Sequence, residues 1–160
     1  MLRARRASTS GRHCKGRMKL SASTTHALRA VTWLANHADG GAALGRDLSR
    51  RLEIPPDYLA KVLATLARSG VLAATRGAKG GYRLARPAER IRLQEVVAPF
   101  EGKRAESGCL LRPDRPCRNS GACAAHTSWG SVNDAYQQFL QKTTVADLRG
   151  EPQTDQGSSE

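Results

Sequence analysis

Apolar residues recur at helical spacing in three successive stretches of the chain. In STTHALRAVTWLANHA, Ala27, Leu28, Val31, Leu34 and Ala35 fall on one face, which predicts an amphipathic helix. Ser23 or Thr24 is placed to cap its start, and Asp39-Gly40-Gly41 to end it. Leu48 and Leu52 share a side of a shorter helix around Arg46 to Leu52. A third helix is predicted in IPPDYLAKVLATLARSG, where Leu59, Val62, Leu63 and Leu66 form the stripe. Pro56 suits its first turn, because a proline's missing N–H is not needed there, and Gly70 suits its C-terminal cap.

After Gly70 the period changes. VLAAT, RGAKGG and YRLA read as strand, glycine-rich turn and strand, since glycine supplies the positive φ that tight hairpins require. The second and third helices are separated only by Glu53-Ile54-Pro55, which makes a helix-turn-helix candidate. A hairpin directly behind it is the winged-helix order. Arg76, Lys79 and Arg83 on that hairpin suit phosphates or a minor groove, and a solvated hairpin with ordinary surface charge is the bland alternative. Further on, IRLQEVVAPFEG predicts a short strand or turn at Ile91 and a helix through Val96, Val97 and Phe100. A last helical period in TSWGSVNDAYQQFLQKT aligns Trp129, Val132, Tyr136, Phe139 and Leu140. Such an aromatic face either packs on its own domain or pairs with its copy in a dimer, as a palindromic DNA site requires. TTVADL adds one short turn.

The expected fold is mainly α with a small β-hairpin wing: a winged helix-turn-helix, a cysteine loop and a long dimerisation helix. Residues 1–17 are polar, basic and aperiodic and read as a disordered leader, with Met18 as a second candidate start. The DNA-binding domain is expected over 18–101, the loop over 102–126, the dimerisation helix and final turn over 127–148, and a disordered polar tail over 149–160.

Charge narrows the partner. The net charge is +12, of which the leader supplies six positive charges and no acid, leaving +6 on the rest. That surplus fits a polyanion, nucleic acid ahead of an anionic membrane surface, although a basic solvated face produces the same count. No stretch approaches the length of a membrane span, and the N-terminal residues lack the apolar core of a secretory signal, so the expectation is a cytoplasmic protein without a membrane partner. GAKGG satisfies neither common nucleotide-loop pattern. With no CxxC pair and no base-activated nucleophile, neither an enzyme nor a small-molecule substrate is expected.

The segment CLLRPDRPCRNSGACAAH, Cys109 to His126, has the spacing C-x7-C-x5-C-x2-H in a Pro-, Arg- and Gly-rich loop. Thiolates with one imidazole suit zinc or an iron-sulfur cluster, not magnesium or calcium. In a reducing cytosol clustered cysteines serve metals or redox chemistry more often than disulfides, and a disulfide here would leave one thiol over. Zinc fingers that bind RNA show a different last spacing and aromatics between the ligands, both missing here. Zinc and iron-sulfur both stand at this point.

The order and wording of MKLSASTTHALRAV, IPPDYLAKVLATLARSGVL and RGAKGGYRL, followed by three cysteines and an aromatic helix, resembles the Rrf2 family of bacterial winged-helix regulators. The resemblance spans residues 18 to about 148. It implies a homodimer on palindromic double-stranded promoter DNA, with an iron-sulfur cluster between the loop and the DNA-binding domain. By position, Cys109, Cys117 and Cys123 match the family's cysteine ligands. His126, with Trp129 behind it, is similar to the CxxH-x-x-W pattern of the IscR branch, in which histidine completes a 2Fe-2S site. The NsrR branch instead draws a fourth ligand to a 4Fe-4S cluster from an aspartate early in the first helix. Thr25 stands there in this chain and is a poor iron ligand, so His126 and 2Fe-2S are favoured over 4Fe-4S. The seven residues between Cys109 and Cys117 depart from the five usual in those two branches and resemble the RirA branch. DNA contacts are expected from Pro56, Asp57, Tyr58 and Lys61 at the start of the recognition helix and from Arg76, Gly77, Lys79, Gly80, Gly81 and Tyr82 in the wing. The expected function is a transcription regulator that senses iron, redox or nitric-oxide status through its cluster. A zinc-stabilised nucleic-acid-binding protein with a structural metal is the alternative.

Overall fold

The computed structural model describes residues 20–37, 41–75, 77, 80–102 and 124–150. The expected leader, Arg76, Lys79, Cys109, Cys117, Cys123 and the tail from 151 lie outside the described residues.

Helix α1 (Ala22–Asn36) is capped by Ser21, whose hydroxyl accepts from the Thr24 N–H at 3.2 Å. The cap therefore precedes both residues expected for it. Thr24 turns inward instead and is fully buried. Ala27, Ala30, Val31, Leu34 and Ala35 form the buried face, close to the expected stripe, and the helix ends at His37, before the expected stop.

α2 (Gly45–Leu52) and α3 (Pro56–Arg68) make the helix-turn-helix. Glu53 turns the chain in the left-handed region at φ 53°, an unusual conformation for a residue with a Cβ. The turn is held by its neighbours: the Ile54 N–H donates to Ser49 O at 3.1 Å, the Ser49 hydroxyl to Ile54 O at 2.6 Å and the Arg29 guanidinium to Leu52 O at 2.6 Å. The bonds to Ser49 O and Leu52 O satisfy carbonyls that the end of α2 leaves without partners, and the Ser49 hydroxyl fixes the turn carbonyl of Ile54. All four expected stripe residues of α3 are buried, and Gly70 follows the helix at φ +75°.

The wing is β1 (Leu72–Thr75) antiparallel to β2 (Gly81–Leu84), with Leu72 opposite Leu84 and Thr75 opposite Gly81. Ala43, in the chain between α1 and α2, adds a third rung: it exchanges two backbone hydrogen bonds with Tyr82, at 2.9 and 2.8 Å. A 3-10 turn (Ala88–Arg90) leads to α4 (Leu93–Glu101). α5 (His126–Lys142) and a final 3-10 turn (Ala146–Leu148) complete the described chain.

One core joins these elements, and the C-terminal segment enters it through Leu140 and the fully buried Val145. Backbone bonds from Leu93 N to Thr143 O (2.9 Å) and from Val145 N to Ile91 O (2.8 Å) tie the end of α5 to the start of α4. Of the aromatic stripe on α5, Trp129 and Tyr136 are half-buried and only Leu140 is buried. Among the described residues no helix is long and apolar enough to cross a membrane.

Candidate nucleic-acid interface and metal-binding loop

The start of α3 combines exposed polar groups with unclaimed backbone donors. Burying Leu59, Val62, Leu63 and Leu66 turns Pro56, Asp57 and Lys61 outward, and all three are exposed. The N-cap residue is Pro55, which has no side chain able to accept from the first-turn N–H groups. A helix start left in that state presents donors and a positive dipole end to an anion such as a phosphate. Tyr58 is held differently: its hydroxyl pairs with the Ser23 hydroxyl at 2.7 Å, and its ring meets His26 edge-on at a centroid distance of 5.5 Å. Among the described residues His26 Nδ1 is buried without a hydrogen-bond partner, and Ser23 supplies the polar tie from α1 to Tyr58.

In the wing, Gly77 is exposed, Gly80 is buried and donates its N–H to Gly77 O at 2.9 Å, and Tyr82 is half-buried. A Cβ on Gly45 would lie 3.7 Å from the Tyr82 ring and 3.9 Å from Leu63, so wing root, α2 start and α3 meet at one point. Arg83 is exposed on β2. Sequence reasoning passed over Arg46, Arg50 and Arg51 on α2, which are exposed opposite the buried Leu48, Ser49 and Leu52. The signal was legible in GRDLSRRL, where the cations occupy every outward position except Asp47.

The cysteine segment is flanked by two described ends. On one side Glu101, the last residue of α4, accepts from the Ser21 N–H at 2.9 Å and from the Thr24 hydroxyl. On the other, His126 is half-buried in the first turn of α5, one turn before Trp129. Tyr136, on the same helix, has its hydroxyl pKa raised by burial and by the nearby Glu101 charge. Thr25 is exposed and donates its hydroxyl to Ser21 O at 3.1 Å. Among the described residues no three His, Cys, Asp or Glu side chains cluster, and His126 is the one expected ligand that falls within them. As donors, three thiolates and a half-buried imidazole fit an iron-sulfur cluster or zinc.

Residues 20–151 match the family model Rrf2, described as an iron-dependent transcriptional regulator. A Haemophilus influenzae (strain Rd) protein carrying an HTH-type transcriptional regulator name is 33% identical over 131 residues, 82% of this chain and 86% of that one. The regulator IscR of Vibrio campbellii is 29% identical over 131 residues, 82% of this chain and 77% of its own. Among solved structures, CymR, named as the global cysteine regulator of B. subtilis, superposes with a TM-score of 0.70 at 23% identity, covering 82% of this chain and 96% of that one. T. potens IscR gives a TM-score of 0.66 at 24% identity over 82% and 85% of the two chains. Both structural likenesses establish the winged-helix fold.

Proposed function

We propose, from the premise that this chain belongs to the Rrf2 family of transcriptional regulators, that it binds promoter DNA as a homodimer and senses its signal through a metal centre in the cysteine loop. The observation that carries the DNA contact is the start of α3, where exposed Pro56, Asp57 and Lys61 accompany N–H groups that no cap residue claims. Inserted in a major groove, Asp57 and Lys61 face base edges and phosphate, while the helix start binds a phosphate oxygen. Gly77 with Arg76 and Lys79 presents the wing to the neighbouring backbone, while the buried Gly80 with Gly81 and Tyr82 shapes the hairpin behind it. Arg46, Arg50 and Arg51 extend the positive surface along α2.

Cys109, Cys117, Cys123 and His126 would hold an iron-sulfur cluster, 2Fe-2S in preference to 4Fe-4S. When bound, such a cluster supplies iron open to oxidants, nitric oxide and iron limitation. Thr25 offers only an alcohol oxygen, a poor iron ligand, which supports His126 as the fourth ligand. The residues flanking the cysteine segment lie on helices, Glu101 tied to α1 and His126 on α5 with the proposed dimer seam, so gain or loss of the cluster biases the population of DNA-competent dimers. The site of action is the cytoplasm, and no small-molecule substrate is involved.

Anaerobic purification with iron, sulfide and zinc analysis tests the metal, followed by DNA binding of the loaded and stripped protein. Iron and sulfide in matching amounts with visible absorbance are expected. Stoichiometric zinc without iron or sulfide replaces the sensor with a structural metal. Lys61→Ala is expected to weaken promoter binding and to lower the salt slope by about one unit.

A further inference from the structure

The first turn of α1 makes polar contacts in two directions. Towards α4, the Ser21 N–H and the Thr24 hydroxyl converge on one carboxylate oxygen of Glu101, and the Ser21 and Thr24 hydroxyls lie 2.9 Å apart. Thr24 is fully buried, so its hydroxyl depends on these partners, and a carboxylate at a helix start is favoured by the dipole. Towards α3, Ser23 and His26 lie three positions apart and share a face. Ser23 binds the Tyr58 hydroxyl at 2.7 Å, and His26 meets the Tyr58 ring at an interplanar angle of 81°. One helical turn therefore grips the last residue of α4 on one side and the first turn of the recognition helix on the other. Glu101 is also only eight residues before Cys109.

We infer that this turn of α1 is a bracket that sets where the recognition helix stands on DNA, with Glu101, Ser23 and Tyr58 as its positioning residues. The inference rests on the proposed DNA contact through α3, and it assigns Tyr58 a role other than direct contact. Losing one hydroxyl pair shifts the orientation of a helix start without unfolding a core. A displacement of the Glu101 end, next to the cysteine segment, reaches Tyr58 through Ser21 and the first five residues of α1. The coupling runs inside one protomer and needs no change at a dimer seam.

The test is a set of variants read by promoter binding and by amide exchange of DNA-free protein. Ser23→Ala and Tyr58→Phe are each expected to lower affinity by about threefold to tenfold, and the double variant to be no worse than either single one. Glu101→Gln is expected to lower affinity as well, less than additively with Tyr58→Phe. In amide exchange, Ser23→Ala and Glu101→Gln should both speed exchange at the Leu59 N–H, which donates to Pro55 O, and leave the amide of the buried Leu66 unchanged. If Glu101→Gln does not fold, the Ser23→Ala exchange pattern and the Ser23/Tyr58 cycle decide alone. Additive losses for Ser23→Ala and Tyr58→Phe would make Tyr58 a direct DNA contact and overturn the bracket, as would wild-type exchange in Ser23→Ala. Lys61→Ala separates the two levels. If it weakens binding while the Ser23 and Glu101 variants bind as wild type, the bracket fails alone. If Lys61→Ala binds as wild type, the α3 interface fails and the bracket's role falls with it.

Discussion

At Gly81 the backbone takes φ +148°, and a Cβ there would stand 2.5 Å from the Ala43 carbonyl oxygen. Gly77, at φ +107°, has nothing within 4 Å of the same position. The two glycines therefore separate two reasons for the residue. At Gly77 any side chain meets backbone strain alone, whereas at Gly81 it must also push Ala43 away and break the rung with Tyr82. Gly77→Ala is expected to lose about 1 kcal/mol, and Gly81→Ala about 2–4 kcal/mol, with the wing loosened from the body. Urea unfolding of the two variants side by side measures this, and equal losses would mean that the Ala43 approach carries no weight. The sequence RGAKGG shows that glycines are needed, but the partner that makes Gly81 the stricter position lies thirty-eight residues earlier.

The start of α4 shows the same limit for whole elements. Its apolar face was legible at Val96 and Val97, which recur at helical spacing and are buried, whereas the expected Phe100 is only half-buried and Leu93 completes the buried set. The stripes of α1 and α3 were legible for the same reason. The clasp around this helix was not, since each of its bonds joins residues far apart in the chain: Arg92 to Gln141 O at 2.6 Å, Leu93 to Thr143 and Val145 to Ile91. Only the side chain of Glu95 acts nearby, accepting from the Arg92 N–H at 3.0 Å and from Arg86 at 2.6 Å. Burial pushes the Glu95 carboxyl up, yet the Arg86 and Arg92 hydrogen bonds and charges outweigh it and hold its pKa below the ordinary 4.5. A lowered folded pKa gives stability that is present above the unfolded value and is lost as pH falls through the folded one. The stability gap between wild type and Glu95→Gln is therefore expected to be full at neutral pH and to shrink below pH 4.5. The pair is partly solvent-exposed, which keeps the gap within about 1 kcal/mol. Urea midpoints from pH 7 downward check it, and a gap that grows on acidification would contradict the assignment.

For the whole molecule, the decisive surface is the outer side of α5. Val132 is 56% exposed and Phe139 50% exposed, with exposed Ala135 between them on the same face. One protomer leaves these residues in water, although the rest of the fold buries its large aliphatic side chains well. Their spacing of three and four residues is that of a helix seam, and in the proposed homodimer two copies meeting there would bury the set twice over a two-fold axis. Full burial of a valine or phenylalanine contributes about 1.5–3 kcal/mol, and about half of each is already covered, so four such side chains add roughly 3–6 kcal/mol of the about 8 kcal/mol of a micromolar dimer. Val132→Glu with Phe139→Glu replaces that contribution by like charges facing each other across the axis. The double variant is expected to sediment as a monomer at micromolar concentration with unchanged helical circular dichroism, because neither residue belongs to the core. On a palindromic site it should lose the affinity that comes from joining two half-sites, while its binding to a single half-site stays at the wild-type level. A variant that stays dimeric would move the seam away from α5, and a monomer that binds the full palindrome as tightly as wild type would show that each protomer reads DNA alone.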